Sequence, residues 1–149
     1  MPTAARLLSA IYLAAVAYFV SQMVMAAMLA QEPALNFGRF LEINLAICAF
    51  LGWFMLGSRI GNPYSVATGL GLTAIAAAVF WCLFAHASIE MLRRALDSRY
   101  DGLMEALLGA LEFGLNYGAE LLRPQIILIL LVAGIFGGLF AEFASRRWR

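Results

Sequence analysis

The chain contains no lysine: all ten of its basic residues are arginine. Histidine occurs once, cysteine twice, and charged residues make up only 13% of the 149 positions, with a net charge of +1. So sparse and balanced a charge lacks the basic footprint that nucleic-acid binding requires, and nucleic acid is not an expected partner. The two cysteines, Cys48 and Cys82, lie inside apolar runs. They are too few and too deeply placed for a disulfide scaffold, and there a thiol behaves as a small hydrophobe. Also missing are a GxGxxG fingerprint, a P-loop, HExxH, GxSxG and CxxC, so phosphate binding, zinc hydrolysis and serine-type acyl transfer have no support. No catalytic residue, cofactor site or metal site is assigned, and the chain is not expected to be an enzyme.

What fills the sequence instead is apolar: 64% of the residues are hydrophobic, too many for a water-soluble domain of this length. The expected fold class is an all-α membrane protein, one polytopic domain over residues 1–149 with about four transmembrane helices. Leu7 to Ala30 carries no charge. As a helix it extends roughly 36 Å, enough to cross a hydrocarbon core of about 30 Å with some tilt. It exceeds the apolar region of a secretory signal, so it is read as a retained first span (7–30) despite the small residues Ala26, Ala27 and Ala30. A second span is expected over 40–57, short because Glu42 sits near its start. Gly61 and Asn62-Pro63 break the chain, a third span follows over 64–90, and a fourth runs over 124–143 behind Pro124. Arg146, Arg147, Trp148 and Arg149 form a basic and aromatic anchor beyond it.

Between the third and fourth spans, residues 101–122 have a different pattern. At 100° per residue, Asp101, Glu105, Glu112, Asn116 and Glu120 share an arc of about 100°, with Leu103, Leu107, Leu111, Phe113, Leu115 and Leu121 around the rest. This is an amphipathic helix. Three readings are open for it: an interfacial helix with its acids in water, a docking face for a partner, or a set of carboxylates along an intramembrane path. Four spans place both termini on one side. The arginines divide evenly between the two sides, and the dense C-terminal cluster points to the cytoplasm for both ends.

One chemically mixed line stands out. Cys82, His86 and Glu90 recur every fourth residue along the third span, a polar stripe suited to a soft metal, a proton relay or an oxyanion. The plainer account has Glu90 paired with Arg93 or Arg94, His86 hydrogen-bonded within the bundle, and Cys82 packed. A metal lacks a fourth ligand at any useful spacing. Gly134-x-x-x-Gly138 and Gly69-x-Gly71 offer faces for close helix association, within one chain, in a homo-oligomer or against another membrane protein.

Several segments together resemble the TrgA family of alphaproteobacterial membrane proteins. They are Met1-Pro2-Thr3-Ala4-Ala5-Arg6-Leu7, Phe37-Gly38-Arg39-Phe40 with Asn44, Gly52-Trp53 through Gly57 to Arg59 and Gly61, Phe80-Trp81, and Glu90-Met91. Arg99-Tyr100-Asp101-Gly102-Leu103-Met104-Glu105-Ala106-Leu107 and the ending Ala141-Glu142 to Arg146-Arg147-Trp148-Arg149 complete the set, which runs over nearly the whole chain. The chain departs from the family pattern at Leu103 and at Phe54. The resemblance implies a small multi-pass inner-membrane protein associated with tellurite resistance, and brings no catalytic motif. Three function classes remain open, in this order: a resistance or envelope-stress membrane protein, an accessory or assembly subunit of a larger membrane complex, and a small transporter of an oxyanion or proton. In each the lipid bilayer is the expected surrounding.

Overall fold

In the computed structural model, residues 3–31, 33, 37–59, 61, 63–96 and 103–147 are described. Among them every element is helical: α1 (Thr3–Gln31), α2 (Phe40–Leu51) continued by a π-helical turn (Gly52–Leu56), α3 (Tyr64–Leu96), α4 (Leu103–Leu121) and α5 (Pro124–Arg147). Proline sets two of the starts. The Pro63 carbonyl accepts the Val66 and Ala67 N–H groups at 2.9 and 3.0 Å, and Pro124, which has no N–H to leave unsatisfied, opens α5.

Helices α1, α3 and α5, of 29, 33 and 24 residues, are long and apolar enough to cross a membrane. At 1.5 Å per residue they measure roughly 43, 50 and 36 Å. The run expected as a second span is helical too, but reaches only from Phe40 to Leu56 and is shorter than the other three. Large apolar side chains such as Phe19, Phe50, Phe84, Leu128 and Phe136 stand exposed around the girth, an exterior that water does not favour.

The helices form a ring in which α1 adjoins α2 and α5, and α3 adjoins α2 and α5. All four neighbours run antiparallel. At one end Gly57, just past the π turn, lies against Arg6 of α1, and Gly61, ahead of α3, meets Glu142 near the end of α5. At the other end Val24, Phe40 and Ile126 form a cluster that Tyr117 and Leu121 of α4 pack against. Helix α4 folds back along the second half of α3, so its amphipathic surface has three sides. Tyr117 and Leu121 face the bundle, Glu105, Glu112 and Asn116 are exposed, and Met104, Leu107, Leu108, Leu111 and Leu115 form a separate exposed apolar strip. Residues 97–102, including the Arg-Tyr-Asp-Gly segment and the first acid of the expected helix, lie outside the described residues, as do Met1, Pro2, Trp148 and Arg149.

Glycine decides how near the helices come. The α3–α5 contact is the most extensive in the bundle, and at its centre the space a Cβ on Gly71 would need holds Gly134 and Gly138 backbone. Gly138 lies in the same way against Ala67, and Gly134 against Leu72. Gly69 has no neighbour on its Cβ side. The close approach expected of Gly69 therefore belongs to Gly71, two residues on and on a different side of the helix. On the opposite flank, a Cβ on Gly52 would lie 2.5 Å from the Ser9 carbonyl oxygen and 2.7 Å from Ala10 Cα, so the π turn brings α2 directly onto the α1 backbone. Gly71→Ala is expected to force α3 and α5 apart and cost about 1–3 kcal/mol, whereas Gly69→Ala changes stability by less than about 0.5 kcal/mol. Thermal unfolding of the two variants side by side in detergent checks this, and equal melting temperatures would refute it.

Candidate functional site

The faces of α2 and α3 that meet inside the ring are built on matching four-residue spacings, Phe40, Asn44 and Cys48 on one and Cys82, His86 and Glu90 on the other. Because the helices are antiparallel, these spacings meet layer by layer. In one layer Cys48 and Cys82 both face the interior between the helices, and they form no disulfide. One turn away, His86 Nε2 lies 2.8 Å from Asn44 Oδ1, while Asn44 Nδ2 donates to Ser21 Oγ of α1 at 2.9 Å. With its amide nitrogen committed to Ser21, Asn44 offers its oxygen to His86, so Nε2 carries the proton and donates. A row of hydrogen bonds thus joins α3, α2 and α1 across the interior.

Aromatic rings close this row from above. Phe40 stacks on His86 with ring centroids 4.4 Å apart and planes 24° from parallel, and Tyr117 of α4 lies 6.4 Å from His86 at 17°. Between the helices is a cavity of about 70 Å³, room for a few waters or one very small molecule. Its wall is largely aliphatic, with Ser21, Asn44, Cys48, Cys82, His86 and Tyr117 as the polar points. Every one of the five helices contributes to it.

The expected polar stripe is therefore divided by depth. Cys82 and His86 line the cavity, but Glu90 does not and lies 3.4 Å from Arg93 Nε, one of the two pairings foreseen for it. Among the described residues no group of three or more His, Cys, Asp or Glu side chains is placed to hold a metal ion. Comparison with protein-family models, curated proteins and solved structures found no match.

Neither Glu42 nor Glu142 joins the stripe. Glu42 is exposed. Glu142, only 2% exposed, is at the opposite end of the bundle, where it accepts the Gly61 N–H at 2.8 Å and pairs with Arg146 Nε at 2.8 Å. Gly61 adopts φ of 99°, which a side chain would strain, and that conformation supports the turn into α3. The Arg146 guanidinium also lies 4.5 Å over the Tyr64 ring. Arg146, expected in the terminal anchor, thus ties the start of α3 to the end of α5.

Ser21, Asn44, Cys48 and Tyr117 were not singled out as site residues from the sequence. The available signal was the Asn44 amide in a run otherwise almost wholly apolar, four residues from Cys48, since a buried amide needs a partner. Ser21 and Tyr117 offered no comparable signal. At the rim, Gln31 Nε2 donates to Glu120 Oε1 at 2.8 Å, and Arg123 Nε lies 2.6 Å from Glu120 Oε2, tying the end of α1 to the α4–α5 turn. Hydrogen bonds from Arg123, then from Gln31, hold the Glu120 carboxyl below its usual value.

Asn44→Ala leaves the His86 N–H and the Ser21 hydroxyl without their partner and is expected to cost about 1–3 kcal/mol. Replacing both hydrogen-bonded groups, as in Asn44→Leu with His86→Phe, should recover part of that loss in the same denaturation assay. A fully additive double variant would contradict the pairing. The Glu120 tether has a defined sign. A carboxyl whose value is lowered by folding stabilises above its unfolded value, and this contribution is lost as pH falls through the folded value. The melting temperature of the wild type should therefore fall further on acidification below the ordinary carboxylate range than that of Glu120→Gln, and parallel curves would contradict the tether.

Proposed function

We propose that this chain is a small multi-pass protein of the bacterial inner membrane that contributes to tellurite resistance and the response to envelope stress, and that it does so without enzymatic turnover. The observation that carries this reading is the set of segments resembling the TrgA family, from the opening through Arg99-Tyr100-Asp101-Gly102 to the closing Arg146-Arg147-Trp148-Arg149. The geometry supports it in kind. The apolar exterior suits a lipid bilayer. Inside, His86, Asn44 and Ser21 satisfy one another rather than converging on a reacting atom, which favours a binding or structural role over catalysis.

One observation favours a second reading, an accessory subunit of a larger membrane complex. The strip Met104, Leu107, Leu108, Leu111 and Leu115 on α4 is exposed beside the acids Glu105 and Glu112. A face of that composition fits a partner helix as well as the bilayer interface. Transport of an oxyanion or proton has less behind it, because Glu90 is paired with Arg93 and is not among the residues that line the cavity.

Cells lacking the gene should survive tellurite less well than the parent, and expression of the wild-type chain should restore survival. Unchanged survival on deletion would overturn the resistance reading. In the same strains, mild-detergent extraction distinguishes the second reading. A stoichiometric partner lost on Leu108→Glu and Leu111→Glu supports a subunit role, and a solitary small species opposes it.

A further inference from the structure

Cys48 and Cys82 come from different helices, yet each lies one turn beyond the Asn44–His86 hydrogen bond on facing antiparallel helices, both are free, and both line the same cavity. Two free thiols in one layer of adjacent helices are the arrangement in which a disulfide can close. Their surroundings select among the reactions open to a thiol pair. Ala17, Ile75 and Ala78 share this wall, and among the described residues no arginine lines the cavity. A metal bridged by two thiolates would leave charge in an apolar interior, and among the described residues no group of three His, Cys, Asp or Glu side chains is placed to hold one. A disulfide is neutral. At about 70 Å³ the cavity also excludes glutathione disulfide as the oxidant, while a peroxide group fits.

We propose that Cys48 and Cys82 form a redox-active dithiol that reduces a peroxide group, carried by hydrogen peroxide or by a lipid hydroperoxide, and closes to a disulfide joining α2 to α3. Cys82 is the more accessible of the two and reacts first. Its sulfur attacks the terminal peroxide oxygen, the O–O bond breaks, and the thiol proton goes to the departing oxygen, giving an alcohol (water, from hydrogen peroxide) and a sulfenic acid. The Cys48 sulfur then attacks the Cys82 sulfur and expels the hydroxyl, which leaves as water with the Cys48 proton. One peroxide and two thiols become one alcohol, one water and one disulfide. The peroxide gains two electrons and the thiols lose two. Thiols in an apolar wall react more slowly than exposed ones, so the rate should fall below that of free glutathione. The couple is independent of tellurite, and its failure would leave the resistance reading untouched.

The test uses the full-length reduced chain in phosphatidylcholine–phosphatidylglycerol vesicles. One arm receives hydrogen peroxide in the buffer, and the other receives linoleic acid hydroperoxide in the membrane. Remaining thiols are then alkylated, and intact mass and non-reduced peptides are read. The expected product is a monomer that has lost two hydrogens, takes up no alkyl group, and yields a linked Cys48–Cys82 peptide. The faster arm identifies the source of the peroxide. In Cys48→Ala, Cys82 should be trapped as a sulfenic acid by dimedone, whereas Cys82→Ala should leave Cys48 largely alkylatable. Both thiols alkylated in full in both arms, or oxidation only to intermolecular dimers, would overturn the proposal. The wild-type result decides even if a cysteine variant fails to fold.

Discussion

Backbone contact at glycine is the constraint on which the rest of the bundle depends. Where the surroundings are as apolar as the side chains, helices gain little by hiding hydrophobic surface from one another. What holds them is close van der Waals contact and the hydrogen bonds made across it. The α3–α5 pair meets this need through Gly71, Gly134 and Gly138, and the α1–α2 pair through Gly52 and Gly57. These are the two closest pairings in the ring, and α2 meets α3 more sparingly. The cavity lies in that looser seam because two tight pairs with rigid backbones cannot also close the space between them.

The same seam gathers the polar groups, and it does so for an energetic reason. An amide or imidazole turned outward among apolar surroundings would lose its hydrogen bonds at a cost of about 1–3 kcal/mol. Turned inward, Asn44 satisfies both Ser21 and His86 and ties three helices in one register. A shift of α2 along α3 by a turn would break the Asn44–His86 bond and part the two thiols together. The hydrogen-bonded row therefore specifies alignment more than it adds stability.

Much of the architecture was legible from particular residues. The charge-free run from Leu7 to Ala30, Pro63 and Pro124 at helix starts, and the acid spacing of α4 each point to an element found close to its expected place. The short second helix was foreshadowed by Glu42 at its start and Gly57 at its end. The third helix runs past the expected span end at Glu90 and stays helical to Leu96. At the site, Cys82 and His86 were visible as a stripe, but their partners were not. A one-dimensional pattern shows which residues share a face of one helix and says nothing about which face lies opposite. For the same reason Gly69 and Gly71 looked equivalent, although only one of them lies at a contact.

By itself, then, the sequence determined the solvent and the class of fold: long uncharged runs can satisfy their backbone groups away from water only as helices. It also determined which residues carry unusual chemistry, because few are polar at all. Tertiary structure alone decided which of them meet. The convergence of Cys48 and Cys82 on one cavity wall, the Ser21–Asn44–His86 row and the capture of Gly61 by Glu142 each join segments distant in the chain. Those contacts depend on the rotation and register of whole helices, which glycine packing and the balance of many small contacts set together.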